Sequence, residues 1–201
     1  LSDISSLHNI KSGDPTGGKT DDATGEKTDR RIVTAGDLVI DGHHRWSQVF
    51  SIAGPGGSIL AKNIALPGES ADEKLAAAQV GVVATMGQGP VPSAAGSGQP
   101  DNILGSDAGG IKSMILGLAG TSMENGKPLL GDEYVEEAKT DGEAQKYFGV
   151  NEEMTTEEAR DKIADVVAGN LASLPGPVGP ERQHMPQFGI STKEDDVFSK
   201  M

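Results

Sequence analysis

The sequence predicts an α+β fold: a small mixed sheet with helices, then a helical C-terminal region and extended Gly/Pro-rich arms. Short runs rich in β-branched residues, at Ile32-Val33, Leu38–Ile40 and Ile59–Leu66, predict the strands. Apolar residues at helical spacing beyond residue 106 predict the helices. With 28 Gly, 11 Pro, 35% hydrophobic and only 3% aromatic residues, the core should be modest and much of the chain should form loops or arms.

These patterns divide the chain into five expected regions. They are an N-terminal segment with a flexible loop over 1–30, a sheet-containing core over 31–86, a linker over 87–105, a helical region over 106–174 and a C-terminal arm over 175–201. The chain begins with Leu1 rather than Met, so we expect that a start residue was removed or that a longer gene product is only partly represented.

The polar segment 11–30 contains a formal match to the phosphate-binding loop, Gly13-x-x-x-x-Gly18-Lys19-Thr20. That motif needs a buried strand before it and a helix after it, so that backbone N–H groups converge on phosphate. Neither flank qualifies, and Asp21-Asp22 would repel a phosphate group. We therefore predict a solvated loop that binds no nucleotide.

The segment Leu38–Trp46 combines a strand, a sharp turn and the start of a helix. Ile32-Val33 and Leu38–Ile40 predict a hairpin, and Gly42 permits a turn at little steric cost. The following helix would place Val49 and Ile52 inward.

His43, His44 and Arg45 fall at this helix start, where free N–H groups and the helix dipole favour anions. The three side chains could bind phosphate, or they could cap the helix and hydrogen-bond to loops. Adjacent histidines point apart in a turn and make a poor chelate, so no metal site is expected. Trp46, the only Trp of the chain, is interpreted as the structural anchor of the helix.

Asp41-Gly42-His43-His44-Arg45-Trp46 resembles the ParB/sulfiredoxin-like superfamily, whose members carry a Gly-x-x-Arg signature after a strand. The resemblance covers Arg31 to about Met86 and implies the order helix, strand, helix after the signature. It also implies that Gly42, His44 and Arg45 line a nucleotide-phosphate pocket. The chain has no cysteine, so it lacks the catalytic thiol of sulfiredoxin itself.

The remaining elements carry clear boundary signals. Gly54-Pro55-Gly56-Gly57 should break the first helix, and Ser70 with Glu73 predicts a capping box for a helix ending near Met86. Further helices are expected over 110–119, within 128–138 after a turn, and over 141–148. Thr155 and Glu158 form a second capping box, and the inward residues of the helix after it should be Ala159, Ile163, Val166, Val167, Leu171 and Leu174.

The arms have too few apolar residues to form cores of their own, but they carry isolated apolar side chains. Such spacing is typical of segments that fold onto a partner. The predicted partner-binding anchors are Val91, Ile103, Leu104, Met185, Phe188, Ile190 and Phe198.

Charge and composition exclude several classes of function. A net charge of −13 would be repelled by duplex DNA, so direct DNA binding is not expected. Without cysteine there are no disulfides or thiolate metal sites. No apolar run approaches the length of a membrane span, and we see no signal peptide.

A second, looser resemblance concerns the C-terminal third. Val167-Ala168-x-Asn170-Leu171, followed by Arg182-x-x-Met185-Pro186-Gln187, resembles ParB-like proteins of contractile-tailed phages of marine cyanobacteria. It implies a phage-encoded protein, and some such proteins are virion components, so we expect this chain in the virion. We expect a capsid- or tail-associated structural protein that binds other virion proteins in multiple copies, with no catalytic residue, cofactor or metal. The alternative is a ParB-like nucleotide-binding enzyme or nuclease, with a nucleotide at Gly42–Arg45.

Overall fold

The computed structural model describes residues 1, 7, 31–86, 103, 105–123 and 126–174. These residues form three strands and six α-helices, which confirms the predicted α+β class. The elements in chain order are β1 (Ile32–Ala35), β2 (Leu38–Asp41), α1 (His43–Ala53), a 3₁₀ turn (Gly54–Gly56), β3 (Ala61–Asn63), α2 (Ala71–Met86), α3 (Ala108–Gly117), α4 (Asp132–Thr140), α5 (Gly142–Phe148) and α6 (Thr156–Ala172). None of the helices in these ranges is long and apolar enough to cross a membrane.

The chain divides into two compact units. The sheet unit contains, among the described residues, 31–43 and 61–86. The helical unit contains 44–60 and the described residues from 103 to 174, together with Leu1 and Leu7. Nearly all of α1 therefore belongs to the helical unit, so this division cuts across the predicted region 31–86.

The sheet has the strand order β2-β1-β3 and is mixed. β1 and β2 form the predicted antiparallel hairpin, with Gly36 in its turn at φ +61°. β1 and β3 are parallel, with Ile32 opposite Ala61 and Thr34 opposite Asn63. Burial on β1 is nearly complete, and only Thr34 is partly exposed.

β3 is three residues long, whereas the sequence predicted a strand over Ile59–Leu66. Its partner β1 has only four residues, and this limits the length of the ladder. The side chain of Asn63 then accepts hydrogen bonds from the Gly36 N–H (2.9 Å) and the Thr34 hydroxyl (3.2 Å). These bonds fix the end of β3 against the hairpin turn.

The predicted capping box of α2 is confirmed. The backbone N–H of Glu73 donates to Ser70 Oγ (3.2 Å), and the Ser70 N–H donates back to Glu73 Oε2 (3.1 Å). These bonds, first that from the Ser70 backbone, lower the pKa of Glu73. Beyond the cap, Ala78 is buried, but Val80 remains 68% exposed.

The helical unit contains the main hydrophobic core of the described chain. α6 contacts α3, α4 and α5, and its residues Ala159, Ile163 and Val167 are buried as predicted. The largest fully buried side chains of this unit are Phe148, Leu7, Ile111, Leu130, Ile163, Val135 and Val167. Val166, Leu171 and Leu174, also expected to face inward, are partly exposed.

Side-chain caps set most of the helix starts in this unit. The capping box of α6 is confirmed, and Asp141 caps α5. α3 begins two residues before the predicted position because Asp107 Oδ1 accepts from the Gly110 N–H (2.7 Å). α4 begins at Asp132 after a turn at 129–130, which agrees with the predicted order of turn and helix.

Candidate functional site

The signature residues form the predicted junction of strand and helix. β2 ends at Asp41, Gly42 has φ +87°, and α1 begins at His43. A Cβ built on Gly42 would lie 2.6 Å from Cγ2 of Ile32, closer than any real contact allows. Both the backbone angle and the close approach therefore require Gly here. The Gly of the signature thus has a structural role whether or not the junction binds a ligand.

Of the residues predicted to bind phosphate, Gly42 directly precedes α1, and His43, His44 and Arg45 fall in its first turn, which contains no acidic side chain. His43 is exposed and Arg45 is partly buried. The first-turn N–H groups of an 11-residue helix favour an anion, and histidine and arginine add to that preference. The chemistry of the junction is therefore compatible with phosphate. Among the described residues, no group of three side chains could hold a metal ion.

Trp46 is partly buried and stacks on Phe50, with ring centroids 5.5 Å apart and planes inclined by 25°. The two residues are one helical turn apart on α1, so the stack stabilises the helix locally. Val49 and Ile52 are buried, as the sequence predicted.

Asn170 of α6 links the end of α1 to the rest of the helical unit. Its side-chain amide donates to the backbone carbonyls of Ser51 (2.9 Å) and Ile52 (3.2 Å), which are among the carbonyls that a helix end leaves without partners. Gly54 has φ +60°, and a Cβ there would lie 2.5 Å from Asn170 Oδ1. From the sequence, Asn170 is noted only as part of the resemblance at Val167–Gln187. The structure shows that its side chain joins α6 to the end of α1.

A groove of about 920 Å³ lies on the helical unit, between the loop after α3 and the starts of α4 and α6. Its lining combines apolar residues with four carboxylates and a single guanidinium. The lining residues are Leu116, Ala119, Gly120, Pro128, Leu130, Gly131, Asp132, Glu157, Glu158, Arg160 and Asp161. The sequence analysis did not find this groove, because its residues come from three separate stretches with no shared motif.

Leu130, on the floor of the groove, has an unusual backbone. Its φ of +44° is in the left-handed region, and its side chain is fully buried. Its carbonyl accepts from Arg160 Nε (3.0 Å), and Arg160 also forms an ion pair with Asp132. A leucine in this region is strained, and such strain concentrates at binding and catalytic sites. The Arg160 bonds therefore hold a strained turn in place.

The first turns of α6 form the acidic wall of the groove. Glu158 accepts from the Thr155 N–H (2.8 Å) and the Thr155 hydroxyl (2.8 Å), and these bonds lower its pKa. Asp161 pairs with Lys112 of α3 (2.9 Å), and this hydrogen bond raises the pKa of the lysine. Glu157 is exposed on the same wall. The rim therefore presents negative charge to a ligand above an apolar floor.

Most of the predicted partner-binding anchors lie outside the described residues, as does the loop at 13–20. Of the anchors, only Ile103 is described: it is partly buried, and its carbonyl accepts from the Ser106 N–H (3.1 Å). The anchors outside the described residues are Val91, Leu104, Met185, Phe188, Ile190 and Phe198.

Comparison with known proteins finds no match: no family model, no curated protein and no solved structure is similar to the chain. The order helix, strand, helix after the signature agrees with the order that the ParB-like resemblance implied. Membership of that superfamily stays a prediction.

Proposed function

We propose that this chain is a structural or assembly protein of a phage virion, a capsid- or tail-associated accessory protein that binds other virion proteins in multiple copies. The observation that carries the proposal is the groove of the helical unit, with its apolar floor and acidic rim. A surface of this kind suits a protein partner that has apolar anchors and basic side chains.

The loop beside the groove supports a binding role. Leu118 is 48% exposed and Met123 is 44% exposed, and both belong to the loop that provides Ala119 and Gly120 to the groove. Apolar side chains grouped next to an apolar groove enlarge the area that a partner can bury. Because the chain has a net charge of −13, a basic partner would also be attracted over a longer range.

The phage setting is supported by the two resemblances, at Asp41–Trp46 and at Val167–Gln187. The first implies a ParB/sulfiredoxin-like protein, and the second implies a protein of contractile-tailed phages. A fold of this kind does not fix an activity, so a virion protein can be built on it.

Mass spectrometry of purified particles of the encoding phage tests this proposal. We expect peptides of this chain to co-purify with the particles through a density gradient, at a constant ratio to the major capsid protein. The phage DNA polymerase, which is absent from particles, provides the control for carry-over of lysate. Loss of this chain at the same step as the polymerase would contradict the proposal.

A nucleotide-binding enzyme or nuclease of the ParB-like kind is the second candidate. It is favoured by the start of α1, where His43 and Arg45 occupy a helix N-terminus that has no acidic residue. Titration of the full chain with each of the four ribonucleoside triphosphates tests it. Saturable binding that His43→Ala weakens would favour a nucleotide-binding enzyme, whereas absence of binding to all four would exclude one.

A further inference from the structure

We propose that the groove of the helical unit binds residues 182–193 of a neighbouring copy of this chain, as an extended peptide. The inference rests on the proposed assembly function and identifies one of its contacts. The segment is Arg182-Gln-His-Met-Pro-Gln-Phe-Gly-Ile-Ser-Thr-Lys193.

The charges of the segment and the groove are complementary. The segment begins with Arg182 and ends with Lys193, with no acidic residue between them, although Glu181 and Glu194 flank it directly. Of the four carboxylates of the groove, Asp132 pairs with Arg160 and Asp161 pairs with Lys112, so Glu157 and Glu158 carry its negative charge. Ion pairs at the two basic ends of a bound segment would fix its position in the groove.

The apolar residues of the segment also match the groove. Met185, Phe188 and Ile190 lie between the two basic ends, and Phe188 and Ile190 are two residues apart, so they share one side of an extended chain. The lining offers apolar surface at Leu116, Ala119 and Pro128. A groove of about 920 Å³ is large enough for two or three such side chains, given that ligand pockets measure roughly 300–1,000 Å³.

The length of the intervening chain favours a neighbouring copy. Glu157 on the groove and Leu174 after α6 are separated by about 25 Å, at a helical rise of roughly 1.5 Å per residue. Residues 175–181 include three prolines, and the eight steps from Leu174 to Arg182 span about 25 Å at a polyproline rise of roughly 3.1 Å per residue. Arg182 of the same chain would therefore reach Glu157 only along a straight path back beside α6, whereas the segment of a neighbouring copy has no such restriction.

The test is self-association of the full chain, measured by sedimentation equilibrium over a concentration series. We expect Glu157→Lys and Arg182→Glu each to weaken association about tenfold, and the double variant to recover most of it, because reversing both charges restores the pair. Glu133→Lys is the matched control: it reverses an exposed acid in the first turn of α4, outside the groove, and should leave association unchanged.

A synthetic peptide of residues 182–193 provides a second measurement, which does not depend on the folding of any variant. An excess of this peptide should dissociate the wild-type assembly, and a peptide with Arg182→Glu and Lys193→Glu should not. The proposal is wrong if the full chain stays monomeric, if the peptide does not compete, or if Glu133→Lys and Glu157→Lys have equal effects. If the peptide binds to a chain that stays monomeric, the groove would be assigned to the chain's own arm. The proposed contact with a neighbouring copy would then be wrong.

Failure of the groove contact can be distinguished from failure of the proposed virion function. A chain that self-associates through the groove but is absent from particles overturns the virion assignment alone. If the chain is present in particles but its Glu157 and Arg182 variants self-associate like the wild type, only the groove contact is overturned.

Discussion

The two units differ in how completely they bury their apolar residues. Of the sheet unit's described residues, only Ile32, Val33, Ala35 and Ala78 form a buried core, and Val80 and Val83 of α2 are exposed. The helical unit buries more than a dozen apolar side chains in one cluster and closes it with caps and ion pairs. The unit that contains Gly42 of the signature therefore has the smaller described core, and the helical unit holds most of the packing.

This comparison separates two kinds of information in a sequence. The signature around Gly42 marks a backbone geometry that only Gly allows, and it says little about how much surface is buried. The stability of the helical unit comes from many ordinary residues at helical spacing. The residues that form a recognisable motif and the residues that contribute most to stability can therefore lie in different parts of one chain.

The largest expected effect is loss of the helical core. Phe148→Ala removes a side chain that is 1% exposed, and should lower the free energy of unfolding by about 3–5 kcal/mol. Leu118→Ala, at a site 48% exposed, should change it by less than about 0.5 kcal/mol. Urea denaturation of both full-length variants measures the difference. Equal effects would show that the cluster around Phe148 does not determine stability.

A smaller effect is expected for the link between α1 and α6. Asn170→Asp keeps the shape of the side chain but removes the amide that donates to the carbonyls of Ser51 and Ile52. Leaving these partly buried carbonyls without that donor should cost about 1–3 kcal/mol. Hydrogen exchange should then show faster opening at the end of α1, while α4 and α5 keep their protection. Unchanged exchange at Ser51–Ala53 would rule out this role for Asn170.

In the sheet unit, Gly42→Ala tests whether the signature Gly is structural. A side chain at φ +87° costs roughly 1–2 kcal/mol, and the added Cβ would also meet Ile32. Gly117→Ala is the control, because the space around it is open and alanine favours a helix by roughly 0.5–1 kcal/mol. Thermal unfolding should show a lower melting temperature for Gly42→Ala and no lowering for Gly117→Ala. A fully stable Gly42→Ala variant would contradict the structural reading.

The smallest expected effect is a pH dependence at the start of α6. The folded-state pKa of Glu158 is below its ordinary value of roughly 4.3, so its contribution to stability is complete above that pH and is lost as pH falls further. Glu158→Gln should therefore flatten the loss of stability between neutral pH and acid. Glu157→Gln removes an adjacent charge outside the capping box and should leave the slope as it is. If the wild type and both variants lost stability with pH at the same slope, the proposed contribution of the Glu158 carboxylate would be excluded.

Much of the fold could be predicted because its signals are local. The capping boxes at Ser70 and Thr155, the hairpin around Gly36 and the buried face of α6 all follow from neighbouring residues. The short β3 could not be predicted, because its length depends on β1, its partner across the sheet.

The candidate site was harder to predict, for the same reason. The phosphate-binding hypothesis at Gly42–Arg45 followed from a contiguous motif, and the structure places those residues at one helix start. The groove joins Leu116, Leu130 and Glu157, which are far apart in sequence and meet only when three helices pack. No local pattern marks such a surface.

The central claim is that binding in the assembly depends on the groove of the helical unit and not on the signature. Its most direct test is to supply variants to a phage that lacks this gene and to count copies per purified particle by quantitative mass spectrometry, relative to the major capsid protein. We expect Glu157→Lys to reduce the copy number strongly, and His43→Ala, at an exposed signature position, to leave it at the wild-type level. A normal copy number for Glu157→Lys together with a loss for His43→Ala would contradict the account.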